Sequence, residues 1–192
     1  MERYDGVGAA FCGGGFSAFA EVAAIEDMER KGIRVGAAAG TSMGAMVATL
    51  VASGLSSGRI ADLLIKMDEN IVKDGILRGM KLRVLSLANS NGLIENSVVE
   101  DQARRVLQKV EINRFSDLKM PLAITAVDIL TGDLCVFTNN PELFVDSTGG
   151  WTLIPGDHDL AKVITASASY PLVIQPTSYV GRLFMDGGCR LN

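Results

Sequence analysis

The segment GTSMG at residues 40–44 restricts the fold of this chain more than any other part of the sequence. An apolar run precedes it at residues 33–39, and a run of small apolar residues follows it. A Gly-x-Ser-x-Gly segment between a strand and a helix predicts a nucleophile elbow, whose serine occupies a strained turn. Gly40 and Gly44 have no Cβ atom, so they let the strand and the helix approach closely. We therefore predict Ser42 as a nucleophile that precedes a helix buried on all sides.

Apolar periodicity divides the remaining chain into alternating strands and helices. Residues 7–12 are a predicted strand that leads through Gly13, Gly14 and Gly15 into a helix ending at Lys31 and Gly32. With the strand at 33–39 this makes a βαβ unit, which builds a parallel sheet with helices on its faces. Further predictions are a helix opened by a capping box of Ser97 and Glu100, a hairpin of residues 122–128 and 134–138, a helix over 160–168, and a hairpin over 179–185. Residues 55–91 have poor periodicity, so the sequence does not decide whether they belong to the core or form a lid over it.

Composition excludes several classes of protein. The 192 residues are 48% hydrophobic and 21% charged, which suits one compact domain and is too apolar for disorder. The net charge of −4 comes without a dense run of Lys and Arg, which argues against nucleic-acid binding. Cys12, Cys135 and Cys189 are scattered, so we expect a reducing compartment and no structural metal. Neither a signal peptide nor a membrane span is predicted, which favours a cytoplasmic location.

The glycines at 13–15 leave a strand and open a helix, where backbone N–H groups and the helix dipole favour negative charge. Together with the Met43 N–H they can form an oxyanion hole. A plain tight turn and a nucleotide-binding loop are the alternatives. The dinucleotide alternative fits poorly because Ala18 stands where its last glycine belongs. We therefore predict no cofactor.

A serine nucleophile needs a base, and the chain offers two candidates. His158 is the single histidine, and Asp128, Asp133 or Asp146 would have to orient it. Its polar neighbours predict a solvated loop. Asp186 instead follows an apolar strand and precedes Gly187 and Gly188, so it projects from a strand end, although Asp-Gly-Gly is also an ordinary turn.

The glycine loop, GTSMG and DGG, in this order, resemble the motifs of the patatin-like phospholipases. The flanks GGGFSAFAEVAAIEDMERKGI, GTSMGAMVATLVASG, ITASASYPLVIQP and GRLFMDGG also resemble that family's blocks, so the resemblance covers essentially the whole chain. It implies a three-layer α/β/α fold with a mostly parallel sheet. It also implies Ser42 and Asp186 as a catalytic dyad that needs no histidine, with Gly13, Gly14 and Gly15 as oxyanion glycines.

The resemblance implies a phospholipase A or esterase that forms an acyl-Ser42 intermediate, without cofactor or metal. Its partners would be a phospholipid or other acyl ester and, transiently, a membrane or micelle surface. Residues 76–87 and 172–174 are the candidates for that surface contact. A histidine-dependent α/β-hydrolase esterase is one alternative. A catalytically silent lipid-binding member is another, because Ser17 and Ala18 stand where the family usually has a basic residue and a glycine.

The sequence stops six residues after Asp186, whereas the family fold usually continues past its DGG block. We therefore predict one catalytic domain over residues 1–192 and leave truncation at its C-terminus open. Oligomeric state, headgroup preference and acyl-chain preference stay open as well.

Overall fold

Strands and helices alternate along the chain as the periodicity predicts, and a computed structural model describes them for residues 5–15, 19–73, 92–144 and 150–191. The strands are β1 (Val7–Phe11), β2 (Val35–Thr41), β3 (Leu122–Asp128), β4 (Leu134–Thr138), β5 (Trp151–Ile154), β6 (Thr177–Tyr179) and β7 (Arg182–Asp186). The helices are α1 (Phe19–Arg30), α2 (Met43–Ala52), α3 (Ser57–Lys73), α4 (Asn96–Gln108) and α5 (Leu160–Ala168). This alternation and the sheet that it builds confirm the predicted α/β class.

The seven strands form one mixed sheet. β1, β2 and β3 run parallel, as the βαβ unit predicts, and β4 and β5 are parallel to each other. β3 and β4 form the predicted antiparallel hairpin, and so do β6 and β7. Because β1 and β2 are parallel, the glycine loop and the elbow follow their strands at the same edge of the sheet.

One side of β3 is shared by two strands that meet end to end. β2 pairs with the first half of β3, up to Thr41 opposite Thr125. β7 runs in the opposite direction and pairs with the second half, with Asp186 opposite Ala126. The last residues of β2 and β7 therefore stand at consecutive positions along β3. This register brings two segments together that are more than 140 residues apart in the sequence.

Helix α2 is buried on all sides, as predicted. Every residue from Gly44 to Ala52 is buried, because these side chains are small or apolar on all faces of the helix. α2 packs on β1, β2 and β3, and α5 packs beside it on β3 and β7. α3 packs against α1, α2 and α4, and α4 packs against α5. All of these helices contribute to the same apolar core.

Two predicted boundaries are wrong. β2 spans Val35–Thr41 instead of 33–39, because the chain leaves α1 through Gly32 at φ 69° and Ile33 still hydrogen bonds to Met28. Ser97 and Glu100 do not form a capping box, since α4 begins at Asn96 and its N-cap is Glu95. Ile94 bonds with Val173 and Gln175, so a tertiary contact sets the entry into this helix.

Candidate active site

Ser42 occupies the turn between β2 and α2 in a strained conformation. Its φ of 55° and ψ of −127° lie outside the regions that residues with a side chain ordinarily adopt. Such a conformation costs on the order of 1–3 kcal/mol and persists only where the surrounding structure enforces it. The turn therefore has the geometry of a nucleophile elbow, which exposes the serine hydroxyl above the sheet edge.

The two flanking glycines are required by close backbone approaches. A Cβ atom at Gly40 would overlap the backbone of Gly44 and Ala45. A Cβ atom at Gly44 would overlap the carbonyl oxygens of Phe11 and Cys12 at the end of β1. The absence of a Cβ atom at both residues thus lets β1, β2 and α2 converge on Ser42.

The meeting of β2 and β7 brings Asp186 to Ser42. The carboxylate of Asp186 hydrogen bonds with the Ser42 side chain, and its Oδ1 accepts from the Gly188 N–H at 2.7 Å. The Asp186 side chain is almost completely buried, with 2% of the residue exposed. Gly187 lies so close to Thr125 on β3 that a Cβ atom would overlap its hydroxyl. DGG is thus a tight turn that fixes a carboxylate beside the serine.

Burial raises the pKa of the Asp186 carboxyl above its ordinary value, while hydrogen bonds with Ser42 and the Gly188 N–H partly oppose that rise. Within the described residues, no cationic side chain contributes to the pKa of Asp186. The carboxylate is therefore a stronger base than a carboxylate in water.

Helix α5 holds both parts of this pair through its last turn. The Ser167 hydroxyl accepts a hydrogen bond from the Ser42 N–H at 2.8 Å. The Ser169 carbonyl accepts one from the Asp186 N–H at 3.0 Å. Sequence reasoning assigned no role to either serine, although both lie in the segment ITASASYP that carries part of the family resemblance. The sequence around these serines has the pattern of a buried helix, and that pattern does not indicate which of its polar side chains contact the site.

Ser42 and Asp186 open into a cavity of about 720 Å³. Gly13, Gly14, Gly15 and Met43 line it too, so the structure brings all the residues of the predicted oxyanion hole to the same cavity as the pair. Most other lining residues are apolar and come from α2 to α5 and the turn after α5. They are Met46, Met67, Ile71, Ile94, Val98, Val99, Ala103, Ile164, Ala168, Val173 and Ile174, with Gln102, Tyr170 and Gly188.

The glycine loop itself is shaped by glycine conformations. Gly14 has a φ of 143° and Gly15 a φ of 59°, which residues with a side chain rarely adopt. At the start of the loop, the Cys12 N–H donates to the Glu21 carboxylate at 2.7 Å and thereby ties β1 to α1. Ser17 and Ala18, the two departures from the family pattern, lie outside the described residues.

His158 is not part of this cavity, and the prediction of a solvated loop around it is wrong. The residue is 5% exposed, and its ring packs edge-on against Phe137 and Tyr179 at centroid distances of 5.1 and 5.7 Å. Its Nε2 lies 3.1 Å from the Ile154 carbonyl oxygen. His158 precedes α5, whereas Ser167 contacts Ser42 near the other end, about 10 Å along the helix. The ring is buried by aromatic side chains that are close to it in space but distant in the sequence.

Two of the acids considered for His158 are described. Asp128 pairs with Arg182 at 2.7 Å, and Asp133 lies beyond the turn that follows β3. Asp146 lies outside the described residues, as do residues 76–87. Among the residues that the structure describes, no group of three or more potential ligands can hold a metal ion, and no helix has the length and apolar character to cross a membrane.

Comparison with known proteins adds independent findings. A family model described as patatin-like phospholipase matches residues 9–192. The uncharacterized protein YqhO of Bacillus subtilis (strain 168) is 31% identical over 196 aligned residues, which cover 98% of this chain and 64% of that protein. The chain thus spans less than two thirds of this relative's length.

Two solved structures are similar in fold. VipD from Legionella pneumophila superposes with a TM-score of 0.55 at 13% identity, over 96% of this chain and 46% of that one. The heterodimeric ExoU–SpcU complex from the type III secretion system of Pseudomonas aeruginosa gives a TM-score of 0.52 at 19% identity, over 88% of this chain and 37% of the matched one. At these identities the likeness concerns the fold alone.

Proposed function

The chain belongs to the patatin-like phospholipase family, and on that premise we propose that it is a serine acyl hydrolase that cleaves fatty-acyl esters of lipids. Its class would be carboxylic ester hydrolase, as a phospholipase A or lipid esterase. One observation carries the proposal: β2 and β7 meet along β3 and place a strained serine beside a buried carboxylate at an apolar cavity.

In the proposed mechanism Asp186 accepts the hydroxyl proton of Ser42 while the Oγ atom attacks the ester carbonyl carbon. The resulting oxyanion is held by backbone N–H groups of the glycine loop and of Met43. When the tetrahedral intermediate collapses, the alcohol leaves with the proton from Asp186, and the acyl group stays on Ser42. Asp186 then takes a proton from water as the water oxygen attacks the acyl carbon. When this second tetrahedral intermediate collapses, the bond to the Ser42 Oγ breaks, Asp186 returns the proton to that oxygen, and the fatty acid is released.

The environment of Asp186 supports its role as the base. An ordinary carboxylate is a weak base toward a serine hydroxyl. The burial that raises the pKa of Asp186 makes this carboxylate a stronger base and so favours proton transfer from Ser42. The Ser42 side chain is also a hydrogen-bond partner of this carboxylate, so the proton to be transferred starts beside its acceptor. No histidine enters this scheme.

The cavity supports an acyl chain as the bound group. Its volume of about 720 Å³ lies within the range of small-molecule sites, and its walls are mainly Met, Ile and Val. Met43, Met46 and Met67 are flexible apolar side chains, which can adapt to a hydrocarbon chain. An acyl chain in this cavity would bring its ester group to Ser42 at the polar end.

A panel of phospholipids, acylglycerols and short-chain acyl esters tests the proposed function. We expect the purified protein to release free fatty acid from at least one lipid class, measured by mass spectrometry of the extracted products. Release of phosphate, of a headgroup alone, or of no product from any acyl ester would contradict it.

The histidine-dependent alternative has its own test. His158→Gln is expected to retain hydrolysis within about threefold of wild type per folded molecule, because the ring lies in an aromatic cluster away from Ser42. Some loss of melting temperature is expected from the buried site. A loss of hydrolysis of about 100-fold in a folded variant would instead support His158 as the base.

Ser167→Ala tests whether the hydrogen bond to the Ser42 N–H positions the nucleophile. We expect kcat to fall about 10- to 100-fold with little change in KM, because small displacements of a reacting group are costly. Thr165→Val is the matched control, since Thr165 is equally buried on α5 but its hydroxyl bonds only within the helix. Equal kcat values for these two variants would show that Ser167 is merely structural.

A further inference from the structure

The turn that follows α5 presents two large apolar side chains to solvent. Tyr170 is 57% exposed and Leu172 is 76% exposed. Leu172 has a φ of 68°, a left-handed conformation that a branched apolar residue seldom adopts. Exposed apolar residues are common singly, but two in one turn, one of them at the cost of backbone strain, call for an explanation.

This turn is held firmly by backbone hydrogen bonds. The N–H groups of Val173 and Ile174 donate to the Tyr170 carbonyl at 3.1 and 2.9 Å. Two more bonds join the turn to Ile94, in the segment before α4. The Ile94 N–H donates to the Val173 carbonyl at 2.8 Å, and the Gln175 N–H donates to the Ile94 carbonyl at 2.9 Å. The exposed side chains therefore project from a fixed backbone, and little conformational entropy would be lost from it on binding.

The same turn forms part of the cavity wall. Tyr170, Val173 and Ile174 line the cavity that contains Ser42, whereas Leu172 is exposed and is not among the lining residues. The apolar segment 172–174, a candidate for surface contact, thus contributes Val173 and Ile174 to the cavity wall and leaves Leu172 exposed. A surface that contacts Leu172 would lie directly beside the cavity.

Charge indicates which kind of surface fits. Residues 163–181 contain no Asp, Glu, Lys, Arg or His, so the turn itself offers no ionic contact to a charged partner. Tyr170 combines an apolar ring with a polar hydroxyl, a combination that suits the boundary between headgroups and acyl chains. A neutral lipid surface satisfies both residues, because it accepts apolar side chains without requiring ion pairs.

We propose that Tyr170 and Leu172 form a docking tip that inserts into an uncharged lipid surface and places the cavity against it. The proposal rests on the proposed function, because it assumes that the cavity takes its acyl chain from that surface. A lipid molecule would then pass from the surface to Ser42 along the wall formed by Val173 and Ile174.

Vesicle binding of Leu172→Asn tests the docking tip. Both the parent and the variant carry Ser42→Ala, so that binding is measured without hydrolysis, by co-sedimentation with phosphatidylcholine vesicles. Asn tolerates the left-handed conformation better than Leu, so the variant is expected to fold with an unchanged or higher melting temperature. We expect its vesicle affinity to fall about tenfold, from the loss of one inserted leucine. Added salt is expected to change neither affinity.

Two controls make the result specific. Leu172→Trp is expected to bind vesicles at least as well as the parent, because it restores a large interfacial side chain. Ile33→Asn removes a 40% exposed apolar residue before β2, at the opposite edge of the sheet, and is expected to bind like the parent. Equal binding by the parent and Leu172→Asn would overturn the docking tip. So would a parent dimer that Leu172→Asn dissociates without any vesicle binding.

Hydrolysis of a dissolved short-chain ester separates this proposal from the proposed function. With Ser42 intact, Leu172→Asn is expected to hydrolyse that ester at the wild-type rate and to lose activity only on vesicles. An unaltered rate on vesicles would overturn the docking tip and leave the acyl hydrolase in place. Vesicle binding that depends on Leu172, without hydrolysis of any ester, would support the tip and contradict the enzyme.

Discussion

Ser42→Ala is expected to lower kcat/KM for acyl esters by about 10⁴-fold or more, because it removes the atom to which the acyl group is transferred. The fold should survive, since the substitution deletes one hydroxyl at a turn that its neighbours hold in place. Hydrolysis of the best substrate, followed by product release, measures the first effect. Thermal unfolding measures the second.

Ser42→Gly is the matched variant at this position. It is expected to be as inactive as Ser42→Ala but more stable, because glycine adopts a φ of 55° without strain. A melting temperature above wild type, together with lost hydrolysis, would show that the elbow stores strain for function. Activity within tenfold of wild type in either variant would contradict the role of Ser42.

Asp186→Asn is expected to reduce kcat about 10²- to 10⁴-fold, the range for loss of a general base. The amide has nearly the same shape and can still accept from the Gly188 N–H, so the DGG turn should persist. In the wild type, kcat/KM should rise with pH through the pKa of Asp186, which burial places above that of an exposed aspartate. A pH profile of wild type and variant measures both effects, and a variant with the wild-type profile would exclude Asp186.

The same substitution is expected to increase stability near neutral pH. The pKa of Asp186 is higher in the folded chain than in the unfolded chain, so the folded chain binds this proton more tightly. That contribution to stability is complete below the unfolded pKa and is lost as the pH rises through the folded pKa. Above it, the buried charge opposes folding, and Asp186→Asn removes the penalty. Denaturant unfolding at acidic and neutral pH should show the gain only at neutral pH.

Asp128→Asn is the control for this stability effect. Asp128 is also a buried aspartate beside β7, but its carboxylate pairs with Arg182 at 2.7 Å. Removal of that charge should cost about 2 kcal/mol of unfolding free energy, because Arg182 loses a charge-assisted hydrogen bond. Two substitutions of the same chemistry thus have opposite expected signs. A loss of stability in both variants at neutral pH would contradict the inference that the buried charge of Asp186 opposes folding.

The local parts of the fold could be predicted because short-range patterns determine them. The elbow and α2 follow from glycines beside small apolar residues, and the hairpin of β3 and β4 follows from two apolar runs around a turn. Gly40 and Gly44 could be predicted for the same reason, since each lies where backbones approach too closely to leave room for a Cβ atom. The order of the motifs was enough to suggest Asp186 rather than His158.

The remaining features depend on contacts between distant segments. No local pattern indicates that β7 pairs with the second half of β3 on the same side as β2, although this register brings Ser42 and Asp186 together. The role of Ser167 depends on the packing of α5 against the elbow. The burial of His158 arises from aromatic residues on β4 and β6, whereas its sequence neighbours are polar. Tertiary contacts override local preferences at these positions.

Reaction with a fluorophosphonate probe, followed by peptide mass mapping, tests the central claim most directly. The probe resembles an acyl ester at its reactive centre and bonds covalently to an activated serine. The predicted result is one adduct, on the peptide that contains Ser42, formed more slowly in Asp186→Asn and absent from Ser42→Ala. An adduct on a different serine, or an unlabelled Ser42 in a protein that hydrolyses acyl esters, would contradict the account.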